Sequence, residues 1–322
     1  MKVDMEETLV TTNETLATDI VVSSRKNVNI YFIGFLVLLA LAIGSYFVYP
    51  YIHFDVIRQA LAKDHHLFYW MLLAGFCAEI VAGSMGMGYG VICTTILLIL
   101  NIPPPIISAS IHSAESFTTA AGTISHSKLG NINKKLTKLL AIPAIVGAII
   151  GALALTYVGE RYAKVTKPFI AAYTMYLGIR ILQNAFKKKS ALNGNGNGNG
   201  KKKKTNITVL GFIGGFIDSF GGGGWGPLVT GTFIKNGRTP RYVIGSSTAA
   251  KFILTVVSAI TFIFTVGIHH WNIVAGLLIG GIITAPFSAL LTAKLPVRRM
   301  FIAVGIVVII MSLITIYRSV FL

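Results

Sequence analysis

The sequence predicts an all-α polytopic membrane protein with two inverted repeats, preceded by one extra N-terminal transmembrane helix. Of its 322 residues, 54% are hydrophobic and only 12% are charged, whereas soluble domains carry about 25% charged residues. Long stretches contain no Asp, Glu, Lys or Arg, and a bilayer crossing needs about 20 apolar residues. These stretches are residues 27–54, 80–114, 139–159 and 252–293. Apolar segments of this length predict helices, because backbone polar groups in lipid must pair internally.

The chain divides into five predicted parts. Residues 1–29 are polar and are expected to form a cytosolic tail, since an apolar run that begins this late is not typical of a cleaved signal. Residues 30–66 are predicted to form the first transmembrane helix and an external loop. The other parts are repeat A at 67–185, a linker at 186–204 and repeat B at 205–322.

The linker combines lysines with a repeated Asn-Gly sequence. Its seven lysines lie at 187–189 and 201–204, and the composition predicts a disordered segment. The positive-inside rule places it in the cytosol. We interpret it as a spacer, with binding to anionic lipid headgroups as the alternative.

The two repeats match without a gap when the first is shifted by 136 positions. The coinciding residues are mostly Gly, Pro, Ser and Thr. They include Gly75 with Gly211, Gly86 with Gly222, Gly88 with Gly224, Gly90 with Gly226, Thr94 with Thr230, Pro104 with Pro240, Ser110 with Ser246 and Thr119 with Thr255. Such a register indicates an internal duplication.

Each repeat begins with a long segment that glycines interrupt, at 67–101 and at 205–236. A straight helix over the first would be about 50 Å long, which exceeds the hydrocarbon core of about 30 Å. Glycine is a poor helix former, so we expect two helical pieces on either side of each break. The pieces are interpreted as re-entrant half-helices or as two short crossings.

Three further helices are predicted in each repeat, at 104–127, 136–158 and 167–184, and at 241–266, 272–293 and 297–317. With a cytosolic N-terminus and broken segments that return to the side they entered, most Lys and Arg clusters face the cytosol, as the positive-inside rule expects. The cluster of Arg161, Lys164 and Lys167 is the exception. Three crossings per repeat make the second repeat enter from the opposite side, which is an inverted repeat.

Polar residues inside the membrane are candidates for function. Ser108, His112, Glu115, Thr119, Gly122 and His126 share one helix face at spacings of three or four. Glu115 coincides with Lys251 in the repeat alignment. We consider two interpretations: a structural ion pair between these residues, or Lys251 as an anion contact with Glu115 and His112 carrying protons. Glu79 and Asp218, near the breaks, are interpreted as acceptors of N–H groups at a helix start, with a role in coupling as the alternative.

The predicted substrate site lies between the repeats, because helix restarts offer N–H groups and a positive dipole end to an anion. Close packing through small residues is the alternative use of the glycines. The predicted substrate contacts are Gly86, Gly88, Ser110, His112, Gly222, Gly223, Gly224, Trp225, Ser246, Ser247 and Lys251. The predicted proton carriers are Glu115, His112 and His126. No catalytic residue, metal ligand or cofactor is predicted.

The sequence resembles the TauE/SafE sulfite exporter family over residues 67–317. The resemblance is carried by the first-half run from Ser108 to Thr119, continuing to His126 and the Gly-Asn-Ile-Asn sequence at 130–133, and by Gly245-Ser246-Ser247 with Lys251 in the second half. It implies a multi-pass permease of the bacterial inner membrane that exports sulfite or small organosulfur anions such as sulfonates. The position of Lys251 is often acidic in that family, so lysine implies a changed substrate charge or coupling ion.

The functional prediction is therefore a secondary transporter that works by alternating access. A passive channel for anions or weak acids is the main alternative, and a membrane-embedded enzyme that uses His112, Glu115 and His126 is a further one. The predicted partners are a small anion and the lipid bilayer, with a homodimer as an option. The net charge of +17 does not indicate nucleic-acid binding, because the cations cluster between apolar segments.

Overall fold

A computed structural model of the protein describes residues 65–85, 87–186, 206–267, 271–294 and 297–321. The predicted cytosolic tail, the first transmembrane helix, Gly86 and nearly all of the linker lie outside these described residues. Within them, every regular element is a helix. The all-α prediction is therefore confirmed for the part of the chain that the structure describes.

The described residues of the first half form five helices, α1 to α5. They span His65–Met85, Tyr89–Ile99, Pro104–Lys128, Lys134–Arg161 and Ala163–Phe186. The break between α1 and α2 falls in the predicted glycine segment, where Gly88 has a φ of 111°, a conformation that glycine adopts without a steric cost. The sequence thus located both pieces of this broken segment.

The second half contains five more helices and one π-helical turn. Helix α6 spans Ile207–Gly221, the π-helical turn Gly226–Thr230, α7 Gly231–Lys235, α8 Pro240–Thr265, α9 Trp271–Lys294 and α10 Val297–Phe321. The chain leaves α6 through Gly222, whose φ is 70°. The boundaries of the six long helices after the breaks lie within four residues of the predicted ones.

An asparagine side chain caps the start of one helix in each half. The Asn133 side chain accepts the Leu136 N–H at 3.1 Å at the start of α4, and the Asn206 side chain accepts the Val209 N–H at 3.3 Å at the start of α6. Asparagine is favoured at such positions because its oxygen satisfies an otherwise unpaired N–H. Prolines occupy the first turns of α3 and α8, where a missing N–H costs no hydrogen bond.

Helices of one half pack mainly against helices of the other. Helix α1 packs on α9, and α6 packs on α4. Helix α3 lies against α8, and α5 lies against α10. The buried hydrophobic residues form two clusters. Each cluster contains residues of both halves, so the two halves share their hydrophobic cores.

Glycines bring these helices to backbone contact at corresponding positions. A Cβ atom added at Gly75 on α1 would lie 2.4 Å from the Leu277 carbonyl oxygen of α9. One added at Gly211 on α6 would lie 2.8 Å from the Leu140 carbonyl oxygen of α4. Close approach through small residues is typical of helices that associate in lipid, so these two coinciding glycines pack alike.

Large apolar side chains are exposed on the surface, and several ionisable side chains are buried in the interior. Ile142 is 65% exposed and Phe264 is 86% exposed, while His112, Glu115 and Asp218 are buried. Three of the described helices are long and apolar enough to cross a membrane: Lys134–Gly159, Arg241–Thr265 and Phe301–Phe321. This distribution is expected when lipid surrounds the protein and ionisable groups face its interior.

Candidate functional site

The two glycine breaks touch each other at the centre of the molecule. A Cβ atom added at Gly90 would lie 2.5 Å from the Gly222 carbonyl oxygen and 2.8 Å from Gly223 Cα. One added at Gly226 would lie 2.3 Å from Met87 Cβ. Glycine is therefore needed at these positions because the backbone at the start of α2 packs directly on the second break.

Two hydroxyl groups hold the second break in place. The Thr94 hydroxyl on α2 donates to the Gly222 carbonyl oxygen at 2.9 Å. The Tyr173 hydroxyl on α5 donates to the Gly223 carbonyl oxygen at 2.9 Å. Both donors belong to the first half, so the unwound carbonyl groups of one half are satisfied by side chains of the other.

Glu115 on α3 and Lys251 on α8 form an ion pair between the halves. Their side chains are 4% and 13% exposed, respectively. One turn further along, the Thr119 and Thr255 hydroxyl oxygens lie 3.3 Å apart. Both pairs join residues 136 positions apart, so α3 and α8 cross with corresponding residues facing each other. The ion pair between Glu115 and Lys251 that the sequence analysis considered is therefore present in the structure.

A cavity of about 160 Å³ lies next to this ion pair. Its wall includes Glu79 on α1, Tyr89 on α2, and the charged groups of Glu115 and Lys251. From there it extends along α3 to His126, in the last turn of the helix. The cavity therefore connects a buried charge pair with the end of the molecule at which α3 ends and α8 begins.

A second buried pair consists of His112 on α3 and Asp218 on α6. Both side chains have no solvent exposure, and His112 Nε2 lies 3.5 Å from Asp218 Oδ2. The other carboxylate oxygen of Asp218 accepts the Trp225 N–H at 2.7 Å. The prediction that Asp218 receives an N–H group near the helix restart is confirmed.

The hydrogen bonds of His112 determine which ring nitrogen carries hydrogen. Its Nδ1 lies 2.8 Å from the Ser108 carbonyl oxygen, which can only accept, so Nδ1 carries the hydrogen in this arrangement. In a neutral ring, Nε2 is then an acceptor facing a carboxylate oxygen. Neither Nε2 nor Asp218 Oδ2 has another partner among the described residues. One added proton between them would satisfy both atoms.

The Trp225 side chain continues this network on the second break. Its indole N–H donates to the Ser247 hydroxyl oxygen at 2.8 Å, and that hydroxyl lies 2.6 Å from the Thr230 hydroxyl. Trp225 is almost fully buried. It therefore anchors the restarting chain to α8, with its polar atom directed at the helix rather than at the cavity.

The structure brings some of the predicted site residues together and separates others. Those on the wall of the cavity are Gly88, Glu115, His126 and Lys251. Those buried outside its wall are Ser110, His112, Gly222, Gly223, Gly224, Trp225, Ser246 and Ser247. The Ser246 hydroxyl accepts the Asn133 N–H at 2.8 Å, which ties α8 to the loop before α4. The substrate contacts of all these residues remain predictions.

Several residues of the site did not stand out in the sequence as parts of a cavity or a break contact. Glu79 lines the cavity, although its sequence context favoured a structural role. Tyr173 closes on the second break from a helix with no polar stripe. Thr94 had one available signal, its coincidence with Thr230. Among the described residues, no group of three or more His, Cys, Asp or Glu side chains is arranged to hold a metal ion.

The apolar exterior, the broken helices and the ionisable groups at an interior cavity define a polytopic membrane transporter. The family model described as sulfite exporter TauE/SafE matches residues 71–315. The chain therefore belongs to the TauE/SafE sulfite exporter family, and it is a multi-pass membrane transport protein.

Curated relatives are also named as transporters. The chain is 36% identical over 235 residues to a probable membrane transporter protein, YtnM, of Bacillus subtilis, covering 72% of this chain and 76% of the relative. It is 24% identical over 231 residues to YdhB of the same organism, also a probable membrane transporter protein, covering 70% of this chain and 91% of the relative. No solved structure matches the chain.

Proposed function

We propose that the protein exports small sulfur-containing anions, such as sulfite or sulfonates, from the bacterial cytoplasm across the inner membrane by alternating access. The main observation that supports this proposal is the cavity between the halves, which has Lys251 on its wall. A lysine at membrane depth is costly unless it is paired or binds a ligand. Its ammonium group has three donors, which suit the oxygens of a sulfur oxyanion.

The proposal includes an inverted repeat as the moving unit. It is supported by the exchange of helix contacts, in which the first helix of each half packs on the fourth helix of the other, α1 on α9 and α6 on α4. It is also supported at the breaks, where Met87 contacts Gly226 and Gly90 contacts Gly223. These contacts exchange under the shift of 136 positions, as a two-fold axis between the halves requires.

In this proposal, the described conformation is open to the cytosol. The cavity reaches His126 near the end of α3, close in sequence to Lys128, and the positive-inside rule places this end in the cytosol. On the other side, the contact of Gly90 with the second break closes the path. Rocking of the halves would open the break contact and close the cavity, which exposes the site alternately.

During this cycle, Lys251 would exchange its bond to Glu115 for a bond to the anion. Its ammonium group is bound to Glu115, so an arriving anion competes with that carboxylate. An unpaired carboxylate at this depth is costly, and a proton on Glu115 removes that cost. We therefore assign Glu115 as the residue whose protonation releases Lys251 to the anion. The half-buried His126, near the end of α3, is a further titratable group on the cavity wall.

The pair of His112 and Asp218 is assigned a second proton site, carried by the two facing acceptor atoms. Both side chains are fully buried, and Asp218 also accepts the Trp225 N–H at the second break. The titratable groups within electrostatic reach of the pair are Glu115, Lys251 and Tyr173. In this proposal, the protonation state of the pair influences the second break, which must rearrange when the substrate site changes from cytosolic to external access.

The test is an efflux panel of sulfite, thiosulfate, sulfonates and carboxylates in proteoliposomes. We expect saturable efflux and counterflow of sulfur anions, and a loss of at least about tenfold in Lys251→Ala, the effect of one charge-assisted hydrogen bond. Lys135→Ala, which removes an exposed lysine on α4, should transport normally. Linear flux without counterflow would indicate the channel instead. Unchanged transport by a folded Lys251→Ala protein would remove Lys251 from the site.

A further inference from the structure

A second and larger cavity lies at the opposite end of the bundle from His126. It has a volume of about 510 Å³ and lies where α2 ends, α5 begins and α10 ends. Three of its wall residues are cations: Lys164, Lys167 and Arg318. No carboxylate is among the residues that line it in the described part of the chain.

The cations of this cavity are held by neutral groups. The Lys167 ammonium donates to the Asn101 side-chain oxygen at 2.6 Å, and the Arg318 guanidinium donates to the Ile99 carbonyl oxygen at 3.3 Å. Ile99 is the last residue of α2, and Asn101 lies two residues beyond it. These bonds orient the cations without neutralising their charge, and Lys and Arg each have further N–H donors. The cavity therefore has a net positive lining.

The position of these cations accounts for an exception in the sequence. Lys164 and Lys167 belong to the cluster that the predicted topology places outside, against the positive-inside rule. The same topology places Arg318 outside, at the end of α10. Positive residues on that side are disfavoured by the rule, so a binding role gives a physical reason for their presence there.

A closed layer separates this cavity from the one that contains Lys251. Leu98 lines the large cavity and also a narrow void with Thr94, Ile107, Phe220 and Gly222 that has no room for a water molecule. Beyond the void lies the contact between the two breaks, where Thr94 donates to Gly222. The basic cavity thus begins where the proposed closed path ends.

We propose that this basic cavity is an external anion-binding site that receives the exported sulfur oxyanion after it passes the glycine breaks. The proposal rests on the transport function proposed above. The oxygens of sulfite or a sulfonate accept bonds from ammonium and guanidinium groups, and the Ser319 hydroxyl offers a further donor on the wall. Because the site faces the outside, it determines the affinity for external anion and has no part in binding from the cytosol.

The first test measures affinity separately on the two sides. Right-side-out and inside-out membrane vesicles are assayed for sulfite counterflow with Lys164→Gln, Lys167→Gln and Arg318→Gln. The external half-saturating concentration should rise about two- to fivefold for each partly solvated charge removed, while the cytosolic value stays unchanged. Arg161→Gln, in the same exposed segment but outside the lining, is the matched control. Equal shifts on both sides, or none, would overturn the proposal.

The second test does not depend on transport. Ser319→Cys in a Cys77→Ser background places a thiol on the wall, since the remaining Cys93 is buried. Negatively charged thiol reagents should react faster than positively charged ones of equal size, and Arg318→Gln and high salt should both reduce that preference. The preference should persist in liposomes of zwitterionic lipid. Equal rates for the two reagents in zwitterionic lipid would refute a free-anion site.

The two proposals fail in different ways. If the wild-type protein moves no sulfur anion in the efflux panel, the transport assignment fails while the reagent preference still reports the positive cavity. If transport occurs with unaltered external affinity in all three variants, only the external site is lost.

Discussion

Replacing Lys251 with methionine should destabilise the protein through the partner that it leaves behind. Methionine retains the length and apolar stem of lysine, so packing changes little, but Glu115 keeps a charge with its side chain only 4% exposed. Removing one member of a buried pair costs about 3–5 kcal/mol. That corresponds to roughly two to four powers of ten in the unfolding equilibrium.

The double variant Lys251→Met/Glu115→Gln tests the cause of this loss. With no charge left unpaired, it should recover most of the stability, since neutral replacement of a buried pair is often close to neutral in free energy. The side-chain amide introduced at position 115 still needs hydrogen-bond partners in the interior. We therefore expect the free energy of unfolding to return to within about 1–2 kcal/mol of the wild-type value. It should remain unable to transport the anion, because the proposed anion contact is absent.

The assay is unfolding in mixed detergent micelles, followed by tryptophan fluorescence, with efflux measured on the same preparations. Lys135→Met makes the same change at an exposed position on α4 and should shift the free energy of unfolding by less than about 0.5 kcal/mol. If the double variant is as unstable as Lys251→Met alone, the loss does not come from an unpaired Glu115. The argument from burial would then be refuted.

Three further results are expected from contacts around the breaks. Gly90→Ala should abolish transport and lower stability, because the added Cβ would meet backbone atoms of the second break. Gly231→Ala is the control and should be tolerated, because the nearest atom to its added Cβ lies at 3.6 Å. Normal efflux in both variants would contradict the close contact at Gly90. Tyr173→Phe removes a hydrogen bond to the second break and should raise passive leak of the anion, and unchanged leak would exclude a closing role. Asp218→Asn supplies a hydrogen-bond donor to His112 in place of a proton and should reduce the pH dependence of efflux with folding retained, and a profile equal to wild type would remove this pair from coupling.

Many features of the fold could be predicted because they depend on local sequence. The length of an apolar segment predicts a helix, a cluster of glycines predicts a break in it, and polar or charged segments predict its ends. The shift of 136 positions then paired Glu115 with Lys251, and the structure joins these side chains across the two halves. The ion pair was one of the two interpretations that the sequence allowed. It could be anticipated because α3 and α8 meet at residues that correspond in the repeat register.

Other contacts could not be derived in this way. His112 on α3 lies against Asp218 on α6, and these two residues do not coincide in the repeat. The distance between these two side chains depends on the packing geometry of α6 against α3, which cannot be predicted from the spacing of residues in the sequence. The same holds for Tyr173, whose hydroxyl reaches the second break from a different helix.

The sequence by itself determined the helices, the two breaks, the duplication and the family to which the chain belongs. Only the tertiary structure decided that the breaks touch, that their carbonyl groups are occupied by Thr94 and Tyr173, and that the open spaces lie on either side of them. The physical reason is that local propensity and hydrophobicity act within each segment. A cavity, in contrast, is what remains after helices from both halves have packed, and its place depends on distances between residues far apart in the chain.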